Sequence, residues 1–231
     1  MILGNICTRA CTFCSVDRGH PTTLDLEEPQ KVARAVQAMG LRHVVITSVT
    51  RDDLKDGGAA QFRACVDAIK KEDATVSVEL LIPDLRNVED ALKIVASSKA
   101  EIIGHNIETV PRLYDVRKGS SYQRSLDVLK TLKELNPTCK TKSALMLGFG
   151  EHEDEVKKTM QDLLDVGCKL LSIGQYLRPS LEHTPVVEFV KPDVFERYGE
   201  IALAMGFEYV KSSPYTRSSY MAHEYLEKND A

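Results

Sequence analysis

The sequence predicts an α/β chain folded as a partial (β/α)6 barrel of the TIM type, and three observations carry that prediction. Apolar β-branched runs alternate with helically spaced segments along the whole chain. Each crossover must lay its helix back on the sheet, so the sheet is parallel. The 231 residues suffice for one sizeable domain and not for two. Polar side chains gather at the C-terminal ends of nearly every predicted strand: Thr47 and Ser48, Glu79, Asn106 and Glu108, Ser143, Gln175 and Tyr176. Barrels build their sites there, which favours a curved barrel over a doubly wound open sheet.

Met1 to Ile6 is a short apolar run read as a first strand, feeding the loop of Cys7, Cys11 and Cys14. Glu28 to Met39 places Val32, Ala35, Val36 and Met39 at helical spacing, and Gly40 closes it. His43 to Val49 is a β-branched run of buried-strand type. Ala59 to Lys71 is helical, with Phe62, Cys65, Val66 and Ile69 on one face. Val76 to Ile82 is a strand stopped by Pro83, and Val88 to Ala96 a helix. Glu101 to Glu108 contains the next strand, followed by a helix from Ser125 to Leu135 that ends near Pro137. Lys142 to Phe149 and Leu170 to Leu177 are strands flanking a helix from Asp154 to Val166 that ends at Gly167. Pro192 to Met205 is the last helix, stopped by Gly206, before a short strand from Phe207 to Lys211. No linker interrupts the chain, so residues 1–231 read as a single domain with 207–231 as a C-terminal extension.

Composition narrows the function. Hydrophobic residues make up 43%, enough for a full core, and a net charge of −4 of mixed sign argues against nucleic-acid or membrane-surface binding. No apolar run reaches membrane-spanning length. Cys65, Cys139 and Cys168 are scattered singly and read as small buried hydrophobes. The clustered thiols imply a reducing compartment, the cytoplasm or a mitochondrial or plastid matrix.

The run Cys7-Thr8-Arg9-Ala10-Cys11-Thr12-Phe13-Cys14 is the dominant motif. Three thiolates spaced C-x3-C-x2-C can hold three irons of a four-iron cluster, leaving the fourth without a protein ligand. An open iron suits binding a cofactor or substrate better than simple electron transfer. A zinc knob would need a fourth close ligand, and only His20 lies near.

This motif, with an aromatic before the last cysteine at the head of a β/α chain, resembles the radical S-adenosylmethionine superfamily and its fold. Four further segments are similar to the lipoyl synthase family: Val44 to Gly58, His105 to Tyr114, Ile173 to Ser180, and the ending Arg217-Ser218-Ser219-Tyr220. The resemblance implies a [4Fe-4S] cluster on Cys7, Cys11 and Cys14, whose open iron chelates S-adenosylmethionine. Reductive cleavage then yields a 5′-deoxyadenosyl radical. It also implies sulfur insertion at C6 and C8 of an octanoyl chain on a lipoyl-carrier domain or glycine-cleavage H protein. An electron donor such as flavodoxin or ferredoxin would feed the cluster. Alternatives are a biotin-synthase-like sulfurtransferase, or a remnant that kept the barrel and lost its chemistry.

Within that frame Phe13 is expected near the adenine, with loop anchoring as the other reading. Thr47, Ser48 and Asp52 are candidates for the cofactor's ammonium and carboxylate, against ordinary turn and N-cap roles. Asn106 and Glu108 are candidates for ribose hydroxyls, with an ion pair to Arg112 or Arg117 competing for Glu108. Gly148 would let backbone approach the adenine. Gln175, Tyr176 and Arg178 read as substrate- or cluster-facing, or as mouth hydrogen bonding. Arg51, Lys55, Arg112, Arg117 and Lys118 are a candidate docking set for the carrier.

Ser219 matches the serine that completes an auxiliary [4Fe-4S] cluster in this family. The cysteine triplet that holds the rest of that cluster precedes the radical motif in the family, and this sequence contains no second triplet. Met1 therefore reads as an internal methionine of a longer protein. The chain alone is expected to cleave S-adenosylmethionine without net sulfur insertion.

Overall fold

The computed structural model describes residues 1–219. Tyr220, the last residue of the Arg-Ser-Ser-Tyr run, lies outside them. Strand β1 (Ile6–Cys7) pairs in parallel with β2 (Asp17–Arg18), closing the cysteine loop at its base. The main sheet holds β3 (His43–Thr47), β4 (Ser77–Leu81), β5 (Ile102–Gly104), β6 (Lys140–Leu147), β7 (Leu170–Gln175) and β8 (Tyr209–Ser212). All pairings are parallel and neighbours follow chain order. A doubly wound sheet reverses its order at a switch point. The consecutive order therefore decides for the partial barrel.

Helices α1 (Glu28–Ala38), α2 (Ala59–Glu72), α3 (Glu89–Ala96), α4 (Tyr122–Leu135), α5 (Glu153–Asp165) and α6 (Pro192–Met205) connect these strands. The ends follow local chemistry. Pro192 sits in the first turn of α6, where its missing N–H has no partner to lose, and Gly206 ends the helix at φ 111°. The Ser121 hydroxyl caps α4 by accepting the Arg124 amide at 3.2 Å. Phe62, Val66 and Ile69 of α2 are buried in one core cluster with Val78 and Leu80 of β4. Burying a ring such as Phe62 contributes about 1.5–3 kcal/mol. A second cluster joins Met160 of α5 and Phe195 of α6 to Leu171 and Ile173 of β7. Cys65, Cys139 and Cys168 are buried as expected.

The expected first strand is not formed. Ile2 makes one isolated bridge to Ser48, its amide donating to the Thr47 carbonyl at 2.7 Å. Leu3 at φ 68° and Gly4 at φ 89° then turn the chain out of the extended region. The strand expected within Glu101 to Glu108 is present as Ile102–Gly104, with Glu108 returning to the sheet as a bridge to Leu145.

The inner face of the sheet carries Glu79, Lys142, Ala144, Met146, Ser172 and Gly174, over an apolar floor of Ile102, Leu170 and Tyr209. Residues 213–218 lie against this face. The Ser213 amide donates to Ile173, the Gln175 amide to Pro214 at 3.1 Å, and the Ser218 carbonyl accepts Lys142 Nζ at 2.6 Å. Only glycine fits at Gly174, because a Cβ there would stand 2.2 Å from the Thr216 carbonyl oxygen.

Candidate active site

The cysteine loop is fixed by the residues between its cysteines. Thr8 donates its amide and hydroxyl to the Thr50 carbonyl, both at 3.0 Å, and its hydroxyl accepts the Asp52 amide. Arg9 forms paired bonds to Asp52 at 2.7 and 2.9 Å and to Asp84 at 2.8 and 2.6 Å. Thr12 donates its amide to the Val116 carbonyl at 2.8 Å, and its hydroxyl lies 2.6 Å from that of Thr184. His183 donates Nε2–H to the Cys14 carbonyl at 3.0 Å. Phe13 meets Phe149 edge-on at 6.3 Å, and Phe149 stacks on Tyr176 at 4.1 Å. Five barrel segments thus grip one short loop.

Cys7, Cys11 and Cys14 line one cavity together with Phe13, Thr47, Ser48, Asn106, Glu108 and Arg117. Its open space, mouth included, is about 720 Å³. The three thiols are free and half-buried. Burial pushes the Cys11 thiol up to about 11, with Arg117 working the other way, and burial raises Cys14 as well. Iron binding would displace those protons.

The far wall is polar and strained. Glu108 holds φ 70°, a conformation that costs a non-glycine residue about 1–3 kcal/mol and that concentrates at functional sites. Its amide donates to Ala144 and its carbonyl accepts Met146, so the backbone is over-determined. Burial pushes the Glu108 carboxyl up, while Arg117 and the Asn106 side chain pull it down. Arg117 is held from behind. One guanidinium nitrogen donates to the Asn106 carbonyl at 2.6 Å, the Tyr114 hydroxyl at 2.8 Å and the Ser125 hydroxyl at 3.0 Å. Ser125 in turn faces His105 Nε2 at 3.0 Å, and His105 Nδ1 donates to the Ile82 carbonyl at 2.9 Å.

The donor set fits an iron–sulfur cluster with a polar ligand beside it. Three thiols line one cavity, and the buried Ser48 Oγ on its wall has no hydrogen-bond partner. A buried hydroxyl left unpaired costs about 1–3 kcal/mol, so a group that would pair with it is expected.

The structure uses the remaining sequence candidates elsewhere. Asp52 is the partner of Arg9 rather than part of the cavity lining. Gly148 needs its φ of 118°, but the space a Cβ would take is filled by Gln175 Nε2 at 2.2 Å and the Glu188 carbonyl at 2.8 Å, not left for an adenine. Gln175 is buried and bonds the Tyr176 and Glu188 carbonyls and the Val190 amide, holding the loop after β7. The Tyr176 hydroxyl donates to the Thr184 carbonyl at 2.7 Å, and Arg178 bonds the His183 and Leu181 carbonyls of its own loop. Ser219 is exposed. Arg9 and Asp84 were missed from the sequence. A charged residue inside a buried thiol loop was the available signal, since such a charge requires a partner.

Comparison with known proteins decides the family. The Radical SAM superfamily model matches residues 1–163. The lipoyl synthase of Geobacter sp. (strain M21) is 55% identical over 227 residues, covering 98% of this chain and 78% of that protein. The lipoyl synthase of Aquifex aeolicus (strain VF5) is 51% identical, covering 98% of this chain and 82% of that protein. The chain belongs to the lipoyl synthase family.

As a lipoyl synthase it is a radical S-adenosylmethionine sulfurtransferase that uses a [4Fe-4S] cluster and S-adenosylmethionine. The biotin-synthase-like alternative is thereby set aside. Solved structures match in fold alone. Methylornithine synthase superposes with a TM-score of 0.68 at 14% identity, covering 96% of this chain and 74% of that one. Streptococcus suis SuiB gives 0.69 at 12% identity, covering all of this chain and 52% of that one.

For a lipoyl synthase the cations of the expected docking set are largely engaged. Arg51 is buried against Asp53 at 2.9 Å, Arg112 pairs with Glu155 at 2.7 Å, and Arg117 lines the cavity. Lys55 and Lys118 are exposed. Among the described residues no helix is long and apolar enough to cross a membrane.

Proposed function

We propose that Cys7, Cys11 and Cys14 are the three protein ligands of the cluster and that Ser48, Asn106 and Glu108 receive S-adenosylmethionine on the same cavity. The observation that carries this reading is that three free thiols, an unpaired buried hydroxyl and a carboxylate on a strained backbone line one cavity. When bound, the reduced cluster supplies the electron that cleaves the sulfonium and so initiates hydrogen abstraction from the acyl chain. Glu108 accepts hydrogen bonds from hydroxyl or ammonium groups, and Ser48 offers one donor and two acceptor positions. Phe13 gives the thiol side of the cavity an apolar edge and is backed by the stacked rings of Phe149 and Tyr176. Thr47 lines the wall next to Ser48, and its carbonyl accepts the Ile2 amide at 2.7 Å.

The substrate is an octanoyl chain on a carrier protein, either a lipoyl domain or a glycine-cleavage H protein. Flavodoxin or ferredoxin is the matching class of electron donor. The compartment is a reducing one, the cytoplasm or an organelle matrix, and the bacterial relatives favour the cytoplasm. Ser219 is assigned to an auxiliary cluster only in company with a second cysteine triplet.

Anaerobic reconstitution tests the assignment. About four irons should bind. Replacing any of the three cysteines by alanine should abolish that uptake. Asn106→Ala and Glu108→Gln should weaken S-adenosylmethionine binding and leave the iron count intact. Full iron uptake after loss of Cys11 would overturn the ligand set.

A further inference from the structure

We infer that Arg9 is a positioning residue for the cluster: held in a socket built by three barrel loops, it fixes the span from Cys7 to Cys11. This inference rests on the three cysteines being the cluster ligands.

The socket is unusual for its burial. Arg9 is 8% exposed and Asp84 is fully buried. Asp52 comes from the loop after β3 and Asp84 from the loop after β4, so one guanidinium ties two strand ends to the cysteine loop. A third loop completes the seat. Gly119, at φ 83°, lies so close to the Arg9 stem that a Cβ there would be 3.1 Å from Cδ. The next residue, Ser120, donates its hydroxyl to Asp84 at 2.7 Å. Asp84 is oriented further by the Arg86 amide at 3.0 Å and by Arg124 at 3.4 Å.

The position of Arg9 makes this arrangement matter for the site. Arg9 lies two residues from each of two thiols, and its amide points at Cys7 Sγ at 3.4 Å. Its side chain is bonded to two carboxylates on separate loops, and moving it breaks paired bonds to both. Bidentate geometry fixes orientation as well as distance, which lysine cannot reproduce. The socket sits at the C-terminal ends of the strands, in the loops after β3 and β4, away from the helix-covered part of the sheet. Losing the socket should therefore disturb the thiols more than the fold.

The test uses the full chain, reconstituted anaerobically, with Arg9→Lys, Asp52→Asn and Gly119→Ala. Three quantities are read: iron content, the rate of iron loss to a chelator, and the reduced-state electron paramagnetic spectrum. The thermal transition of each metal-free chain is recorded alongside. Groups that orient metal ligands typically change affinity by about 10–100-fold when removed, so chelator-driven loss should be at least about tenfold faster. A shifted or broadened spectrum should accompany it, with the metal-free transition of Asp52→Asn nearly unchanged because Asp52 is the partly exposed member of the socket. Should Arg9→Lys fail to fold, Asp52→Asn decides, since Asp52 is half-exposed and keeps its shape. Wild-type loss rates and spectra in folded variants would overturn the inference. Failure of the wild-type chain to take up iron at all would instead count against the ligand assignment.

Discussion

His105 offers the sharpest quantitative test of how the site is held. It is fully buried, and the Ile82 carbonyl can only accept, so Nδ1 carries the proton and Nε2 accepts from Ser125. Arg117 donates toward Ser125, whose oxygen also lies 2.7 Å from the Tyr114 hydroxyl, so the serine proton can go to His105. A neutral imidazole accepts that proton at Nε2, and an imidazolium would have to displace it. Burial, reinforced by Arg117 and Arg9, lowers the His105 pKa to about 3, with the Ile82 bond and Asp84 opposing.

Unfolded histidine titrates near 6.5, so below that pH the unfolded chain binds a proton that the folded chain does not. Stability is therefore intact above about pH 6.5 and falls as pH drops toward the folded value. Between pH 7.5 and 5 the loss from this one group is about 2 kcal/mol, at 1.36 kcal/mol per pKa unit. Urea unfolding of the metal-free chain over that range, with His105→Asn as the non-titrating reference, isolates the effect. The difference in unfolding free energy should change by about 2 kcal/mol. Proton NMR should show the His105 ring unchanged down to pH 5. A difference that stays flat with pH, or a ring that titrates near 6.5, would refute the relay.

Three other outcomes follow from the packing. Lys142→Met strands the fully buried Glu79, which it now bonds at 2.9 and 3.1 Å, and should cost about 3–5 kcal/mol in urea unfolding. Adding Glu79→Leu should restore most of that loss, and no recovery would show that the pair matters through something other than charge. Gly174→Ala forces a methyl onto the Thr216 carbonyl, so residues 213–218 should become accessible to limited proteolysis at a cost of about 1–3 kcal/mol. Ser48→Ala should weaken S-adenosylmethionine binding by roughly two- to tenfold, one hydrogen bond's worth, with iron uptake unchanged. Unaltered binding in a calorimetric titration would remove Ser48 from the pocket.

Much of the barrel was legible because each strand and helix carries its own period and stop. The run from His43 to Thr47 is β-branched, and Gly206 terminates α6 as its position suggests. The first strand was misread because apolar composition says nothing about φ, and Leu3 sits at a positive value that only tertiary contacts hold. At the site, residues on the cavity wall were found where strand ends are polar: Thr47, Ser48, Asn106 and Glu108. Asp52, Gln175 and Arg178 follow the same rule and yet face neighbouring loops. Position at a strand end does not encode which way a long side chain turns. Arg9 carried a signal, a charge inside the thiol loop, but its partner Asp84 lies 75 residues away and nothing local marks it.

The most direct measurement is the electron paramagnetic spectrum of the reduced, anaerobically loaded chain, recorded with and without S-adenosylmethionine. With Cys7, Cys11 and Cys14 leaving one iron open beside Ser48 and Glu108, adding the cofactor should shift the signal, and Cys11→Ala should show none. A cluster signal indifferent to the cofactor would mean that no iron is open, and the site assignment would fail.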